Sequence, residues 1–216
     1  MTDQHVDTPV GPAEIAWFES ATPARAVLVL GHGSATGVDA PDLQAIAAAL
    51  PPRGITVALV TQPYLLARGL GPRASDEASL DAAWRAVWPH VVSSGPVVIA
   101  GGRSAGSQVA CRTAKALGAA GVVALSYPLL GPGSPPELLS TGLPTLIVQG
   151  GADPYGTPEQ FPPLPPTYTL VDVPRANHTF NVPARTPDGA DAAIAAVADA
   201  VASWLDDLIS GPRDSV

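Results

Sequence analysis

The sequence predicts an α/β layered fold around a mostly parallel central sheet, and two observations carry that expectation. Short Val/Ile/Leu-rich runs of strand length recur along the chain and alternate with stretches of helical periodicity. The apolar runs are continuous rather than alternating, the pattern of strands covered on both faces. Strand–helix alternation of this kind implies right-handed crossovers between parallel strands.

Taken in chain order, residues 13–20 (AEIAWFES) alternate weakly and are expected as a leading antiparallel strand, with His5 before them in an N-terminal tail. Parallel strands are expected at 26–33 (AVLVLGHG), 55–62 (ITVALVTQ), 96–102 (PVVIAGG), 121–128 (GVVALSYP) and 145–151 (TLIVQGG), with YTLVDVP (168–174) as the last. Helices fall between them. Residues 41–50 have Pro41 at the start and Pro51 just past the end. Residues 76–88 follow Ser75 as a cap, set Leu80, Trp84, Val87 and Trp88 near one face, and are expected to stop at Pro89. Residues 105–117 run to Gly118, a C-terminal stop. Residues 189–209 place Ile194, Val197, Val201, Leu205 and Leu208 at spacings of three and four. No internal repeat or linker interrupts the pattern, so residues 1–216 are read as a single domain.

Composition narrows the function classes. A chain of 216 residues can bury roughly 70% of its unfolded surface. Charged residues are 14% and hydrophobic ones 46%, the balance of a globular protein. Net charge is −8 and no Lys/Arg run is present, which argues against nucleic acid or an anionic membrane as partner. The single cysteine, Cys111, excludes an internal disulfide and any Cys-based zinc cluster. Neither a metal nor another cofactor is called for. The N-terminus has no basic region followed by an apolar core, and no apolar run approaches the ~20 residues of a membrane span. A cytoplasmic protein is the expectation. Residues 154–166 carry six prolines; they read as a stiff surface connection before they read as a ligand for a proline-binding module. Oligomeric state leaves no mark on the sequence.

In a parallel sheet, ligands gather at the carboxyl ends of the strands. The polar residues there are His32 and Ser34, Thr61 and Gln62, Arg103 and Ser104, Ser126 and Tyr127, Asp153, and Asn177 and His178. Among them Ser104, Asp153 and His178 occur in that chain order, and Ser104 sits in Gly102-Arg103-Ser104-Ala105-Gly106, a G-x-S-x-G between a strand and a helix. The glycines have a steric reason, because side chains flanking so sharp a turn would collide with backbone. The following helix points its N-terminus at the site and favours negative charge. Ser104 is therefore read as a nucleophile, His178 as its base and Asp153 as the group orienting the histidine. Asp172 is the rival acid, inside the last strand. The oxyanion hole needs two backbone N–H groups, one from Ala105 and one from the glycine loop, at Ser34 or Ala35. His32, Arg103 and Tyr127 are candidates to line the substrate site. For Arg103 the bland alternative is a solvated side chain, and for Tyr127 a residue closing the core. Cys111 lies seven residues beyond Ser104 and reads as a small core residue.

A nucleotide site competes for the first glycine loop. The dinucleotide fingerprint fails there: position 36 is threonine, Gly37 comes one place late, and no acid ends the next strand. No Gly-Lys-Ser/Thr occurs either. By contrast, GHGSATGVDAPDL (31–43), GGRSAGSQVAC (101–111), LSYPLL (125–130), VQGGADPYGTPEQ (148–160) and NHTF (177–180) together resemble the α/β-hydrolase superfamily. They are most similar to its small, cap-less dienelactone-hydrolase-like group, which includes the testis-expressed hydrolase-like proteins. The resemblance implies an α/β-hydrolase fold, the triad just read and a small-molecule acyl substrate. True dienelactone hydrolases resemble one another in a cysteine nucleophile, where this chain has Ser104, so dienelactone itself is not implied. Only about 15 residues separate Tyr127 from Leu143, too few for a cap of several helices. The other reading in play is a non-catalytic protein that uses the hydrolase fold for binding.

Overall fold

The computed structural model describes residues 2–67, 76–93, 97–183 and 189–211. Among them a single eight-stranded sheet runs in the order β1-β2-β4-β3-β5-β6-β7-β8. Its strands are β1 (Thr2–Thr8), β2 (Gly11–Phe18), β3 (Ala26–Gly31), β4 (Ile55–Thr61), β5 (Val98–Arg103), β6 (Val122–Leu125), β7 (Thr145–Gly150) and β8 (Tyr168–Val173). From β4 across to β8 every neighbouring pair is parallel, while β2 runs antiparallel to β4 and β1 antiparallel to β2. The N-terminal segment is thus an edge strand rather than a tail. Only Val6 of β1 is buried, so its sequence carries little of the apolar signal that marks a strand.

Alternation along the buried strands divides the core between two faces. Val27 and Val29 of β3 join Ala58 and Val60 against Trp84, Val87 and Val91 of α3 (Glu77–Val92) and Val109 of α4 (Ala105–Thr113). Leu28 and Leu30 join Val57 and Leu59 on the other face, against Leu43 and Ile46 of α1 (Pro41–Ala49) and Val197, Val201 and Leu205 of α6 (Gly189–Ser210). Two short α-helices, α2 (Pro63–Leu66) and α5 (Pro136–Leu139), are also present among the described residues. Covering both faces is why the strands read as continuous apolar runs. In the described residues α6 is not a membrane span, since no helix is long and apolar enough to cross a bilayer.

Three helix ends depart from expectation. Ser75, expected as the α3 cap, lies outside the described residues; the side chain of Asp76 accepts from the Ser79 amide at 2.7 Å and caps the helix. The helix also continues through Pro89 to Val92. Pro89 is on the exposed side, where the carbonyl that loses its donor can tilt toward water. Helix α4 stops at Thr113 and relaxes into turns before Gly118, whose φ of +72° makes it the left-handed stop.

The connection between β6 and β7 holds one four-residue helix, α5, so no cap is inserted there. The proline-rich stretch after β7 contains a single-turn helix at Pro158–Gln160 and packs Phe161 and Leu164 against the core. It is a connection moulded to the body of the protein.

Candidate active site

The order β4-β3-β5 marks the point where the chain reverses its direction of travel across the sheet, the place where ligands bind in open α/β sheets. Gly31 ends β3 and Arg103 ends β5. Ser104 follows with φ 52° and ψ −117° and leads directly into α4. A positive φ on a non-glycine residue is strained by about 1–3 kcal/mol and persists only where its surroundings enforce it. Here the Ser104 amide donates to the Leu125 carbonyl at 2.9 Å, and its carbonyl accepts from the Ser107 amide at 2.9 Å.

The flanking glycines are needed for backbone-to-backbone contact. A Cβ on Gly102 would stand 2.5 Å from the Gly106 carbonyl carbon, and one on Gly106 would stand 2.5 Å from the Gly31 carbonyl oxygen. Neither neighbour is a side chain that can turn aside. Gly106→Ala is expected to cost at least ~2 kcal/mol and to lower Tm by ~5 °C or more, read by thermal melting. A melt unchanged from the parent would show that α4 and β3 do not need to approach this closely.

Asp153 and His178 converge on Ser104 from the ends of β7 and β8. His178 Nε2 lies 2.9 Å from Ser104 Oγ, and His178 Nδ1 lies 2.8 Å from Asp153 Oδ2. A carboxylate only accepts, so Nδ1 carries the proton and Nε2 is left to accept from the serine hydroxyl. Asp153 is 2% exposed; its Oδ1 accepts from the Tyr155 amide at 2.8 Å and its Oδ2 from Gln149 Nε2 at 3.0 Å. The two loops are brought together by another close approach, since a Cβ on Gly150 would sit 2.4 Å from the Ala176 carbonyl oxygen. The histidine loop is tied internally by Asn177 Oδ1, which accepts from the Thr179 and Asn181 amides at 2.9 and 3.1 Å. Asp172, the rival acid, is exposed on β8, and the histidine's Nδ1 is taken by Asp153.

The remaining candidates separate. Ser34, Ala35 and Ala105 line the cavity of about 290 Å³ that contains Ser104 and His178, together with Pro128 and Tyr155. The Tyr155 ring leans on the His178 imidazole, centroids 4.5 Å apart and tilted by 51°. Tyr127, expected as a lining residue, is instead completely buried in the core, and burial pushes its phenol pKa upward. His32 is also corrected. It is 2% exposed, Nε2 accepts from the Gln62 amide at 3.0 Å, and Nδ1 donates to the Gly33 carbonyl at 2.8 Å. That pattern makes it a neutral brace behind the glycine loop.

Arg103 lines the cavity, yet it is not a solvated side chain. It is 3% exposed. Nη1 donates to Thr36 Oγ1, Nη2 donates to the His178 carbonyl at 3.1 Å, and Nε faces Asp42 Oδ2 at 3.3 Å. One guanidinium thus joins the glycine loop, the first turn of α1 and the histidine loop. Asp42 is 1% exposed; burial holds its carboxyl above the usual carboxylate range, with Arg103 pulling the other way. Gln149 is a second residue missed in the sequence. From within β7 it accepts from the Tyr127 amide at 2.9 Å and donates to Asp153 Oδ2 and to the Gly156 carbonyl.

A serine on a strained strand-to-helix turn, bonded through a histidine to a buried acid at the carboxyl edge of a cap-less sheet, defines the α/β serine hydrolase type of fold. The chain belongs to the alpha/beta hydrolase domain family, whose model matches residues 24–206. Solved structures agree on the fold. XC6422 from Xanthomonas campestris, described as a serine hydrolase without lid, superposes with a TM-score of 0.74 at 22% identity, covering 94% of each chain. A dienelactone hydrolase from Anabaena variabilis gives 0.69 at 20% identity over 95% of this chain and 96% of that one. A thermophilic esterase from Thermogutta terrifontis gives 0.66 at 18% identity over 96% and 99%. No curated protein matches the chain. The likeness to cap-less hydrolases that the motifs implied is therefore borne out at the level of family and fold.

Proposed function

We propose that the protein is a serine hydrolase that cleaves a carboxylic ester or thioester through Ser104, His178 and Asp153. The observation that supports this most is the continuous hydrogen-bond chain from Ser104 Oγ through both ring nitrogens to Asp153 Oδ2. The esterase and dienelactone hydrolase among the structural neighbours point to the same chemistry.

In the first half-reaction Ser104 Oγ attacks the acyl carbon while its proton passes to His178 Nε2. Asp153 holds the ring and stabilises the imidazolium. The carbonyl oxygen becomes an oxyanion facing the amide of Ala105, a first-turn N–H without an intrahelical acceptor, and an amide of the Ser34–Ala35 loop. Each such donor is worth about 3 kcal/mol in the transition state. The bond to the leaving atom then breaks, and that atom takes the proton from Nε2. Water attacks the acyl-enzyme with its proton going to Nε2, and the acid leaves as Ser104 regains its proton. A small-molecule acyl compound met in the cytoplasm is the substrate class; a reducing compartment suits the single buried Cys111.

Fluorophosphonate labelling tests the reading. The wild-type protein should be labelled at Ser104 and Ser104→Ala should not. A folded wild type that resists the reagent would leave the fold as a binding scaffold.

A further inference from the structure

A second cavity, of about 460 Å³, adjoins the first and shares Ala35, Thr36, Arg103 and Thr179 with it. That volume is in the range of small-molecule sites. Its far wall is built from Asp39, the first turn of α1 and Asn181. Thr179 and Asn181 belong to the loop that carries His178, so the cavity borders the histidine loop as well as the glycine loop. The atom that leaves must take its proton from His178 Nε2, so the leaving group lies toward the histidine loop.

The lining defines what fits there. Arg103 and Asp42 are both more than nine-tenths buried and face one another, and the three arms of the guanidinium are engaged by Thr36, the His178 carbonyl and Asp42. Among the described lining residues Arg103 is the one cation and its charge is paired with Asp42, while the exposed Asp39 disfavours a carboxylate or phosphate. A quaternary ammonium would need aromatic faces, whereas Leu65 is the one large apolar side chain among the described lining residues. What remains is hydrogen-bonding capacity for hydroxyls. The Asp39 carboxylate accepts, the Thr36 hydroxyl keeps its proton after accepting from Arg103, and Asn181, whose Nδ2 donates to Thr179 Oγ1, adds an amide oxygen.

We propose that this cavity is the subsite for the leaving alcohol, and that the alcohol is polyhydroxylated, of the glycerol or sugar class. The proposal rests on the nucleophile reading above. It follows that the enzyme discriminates among esters chiefly by their alcohol, because a polar site left unpaired by a bare alkyl group loses affinity.

The test compares 1-monobutyrin with propyl butyrate, which share an acyl group and a three-carbon leaving skeleton and differ by two hydroxyls. Wild-type kcat/KM should favour monobutyrin by about tenfold or more. Asp39→Ala should bring the ratio toward one, and Asp39→Asn, which keeps an acceptor, should retain part of it. A wild-type ratio near one with Ser104 still labelled by fluorophosphonate overturns the subsite and leaves the nucleophile standing. A ratio that persists unchanged in Asp39→Ala overturns it too, by moving the discrimination elsewhere. Failure of the wild type to label overturns the nucleophile reading itself.

Discussion

His178→Ala is expected to lower kcat on an activated ester by about 10³- to 10⁴-fold, with little change in Tm. The imidazole is the one group bonded to both Ser104 and Asp153, so its loss leaves the hydroxyl at its ordinary, weak nucleophilicity. The proposed oxyanion donors are backbone groups that the substitution leaves in place, which sets a floor of residual activity. Asp153→Asn should fall by a comparable factor, because a neutral amide no longer fixes the tautomer that presents Nε2 to the serine. Steady-state kinetics on both variants, with circular dichroism as the control for folding, checks the pair. An undiminished rate in either removes that residue from the mechanism.

Arg103→Met carries the largest expected effect on stability, about 3–5 kcal/mol, or a fall in Tm of more than ~6 °C. Methionine fills similar space but strands the buried Asp42 carboxylate without its counter-ion. The loss has a pH signature. Burial already raises the Asp42 pKa against the pull of Arg103, and removing the guanidinium raises it further in the folded state. Folded protein then holds the proton to higher pH than the unfolded chain does. Stability is lost as pH rises from the unfolded carboxylate value, about 3.9, through the raised folded one. The deficit should thus be smaller at pH 5 than at pH 8, and the double variant Asp42→Asn with Arg103→Met should recover part of it. Equal deficits at both pH values would show that the pair's charge is not what Arg103 supports. Activity should fall as well, since Arg103 also holds Thr36 and the His178 carbonyl.

The contrast between these residues explains what the sequence discloses. Ser104, Asp153 and His178 are legible because each follows a buried strand and the sheet dictates where strand ends lie. The glycines around Ser104 are legible because one turn geometry demands them. Arg103 is open to misreading as a solvated neighbour, since it ends a strand while its partner Asp42 lies on the distant helix α1, and only the assembled fold brings them within 3.3 Å. Gln149 sits inside an apolar run with nothing local to distinguish it from a strand residue, although it props the acid of the site. Strand β1 lacks an apolar pattern because it is an edge, half-covered by a single neighbour. Local chemistry shows through the sequence; long-range pairing does not.

Cys111 has a practical consequence. It is the chain's one cysteine, lies on α4 behind the serine turn at 3% exposure, and burial raises its thiol pKa. In the folded protein a thiolate-seeking reagent finds almost no reactive sulfur. The thiol meets water only if α4 leaves the sheet, and α4 is the helix into which the Ser104 turn leads. The rate of maleimide uptake thereby becomes a clock for the opening of the site, counting with a single hand and needing no substrate.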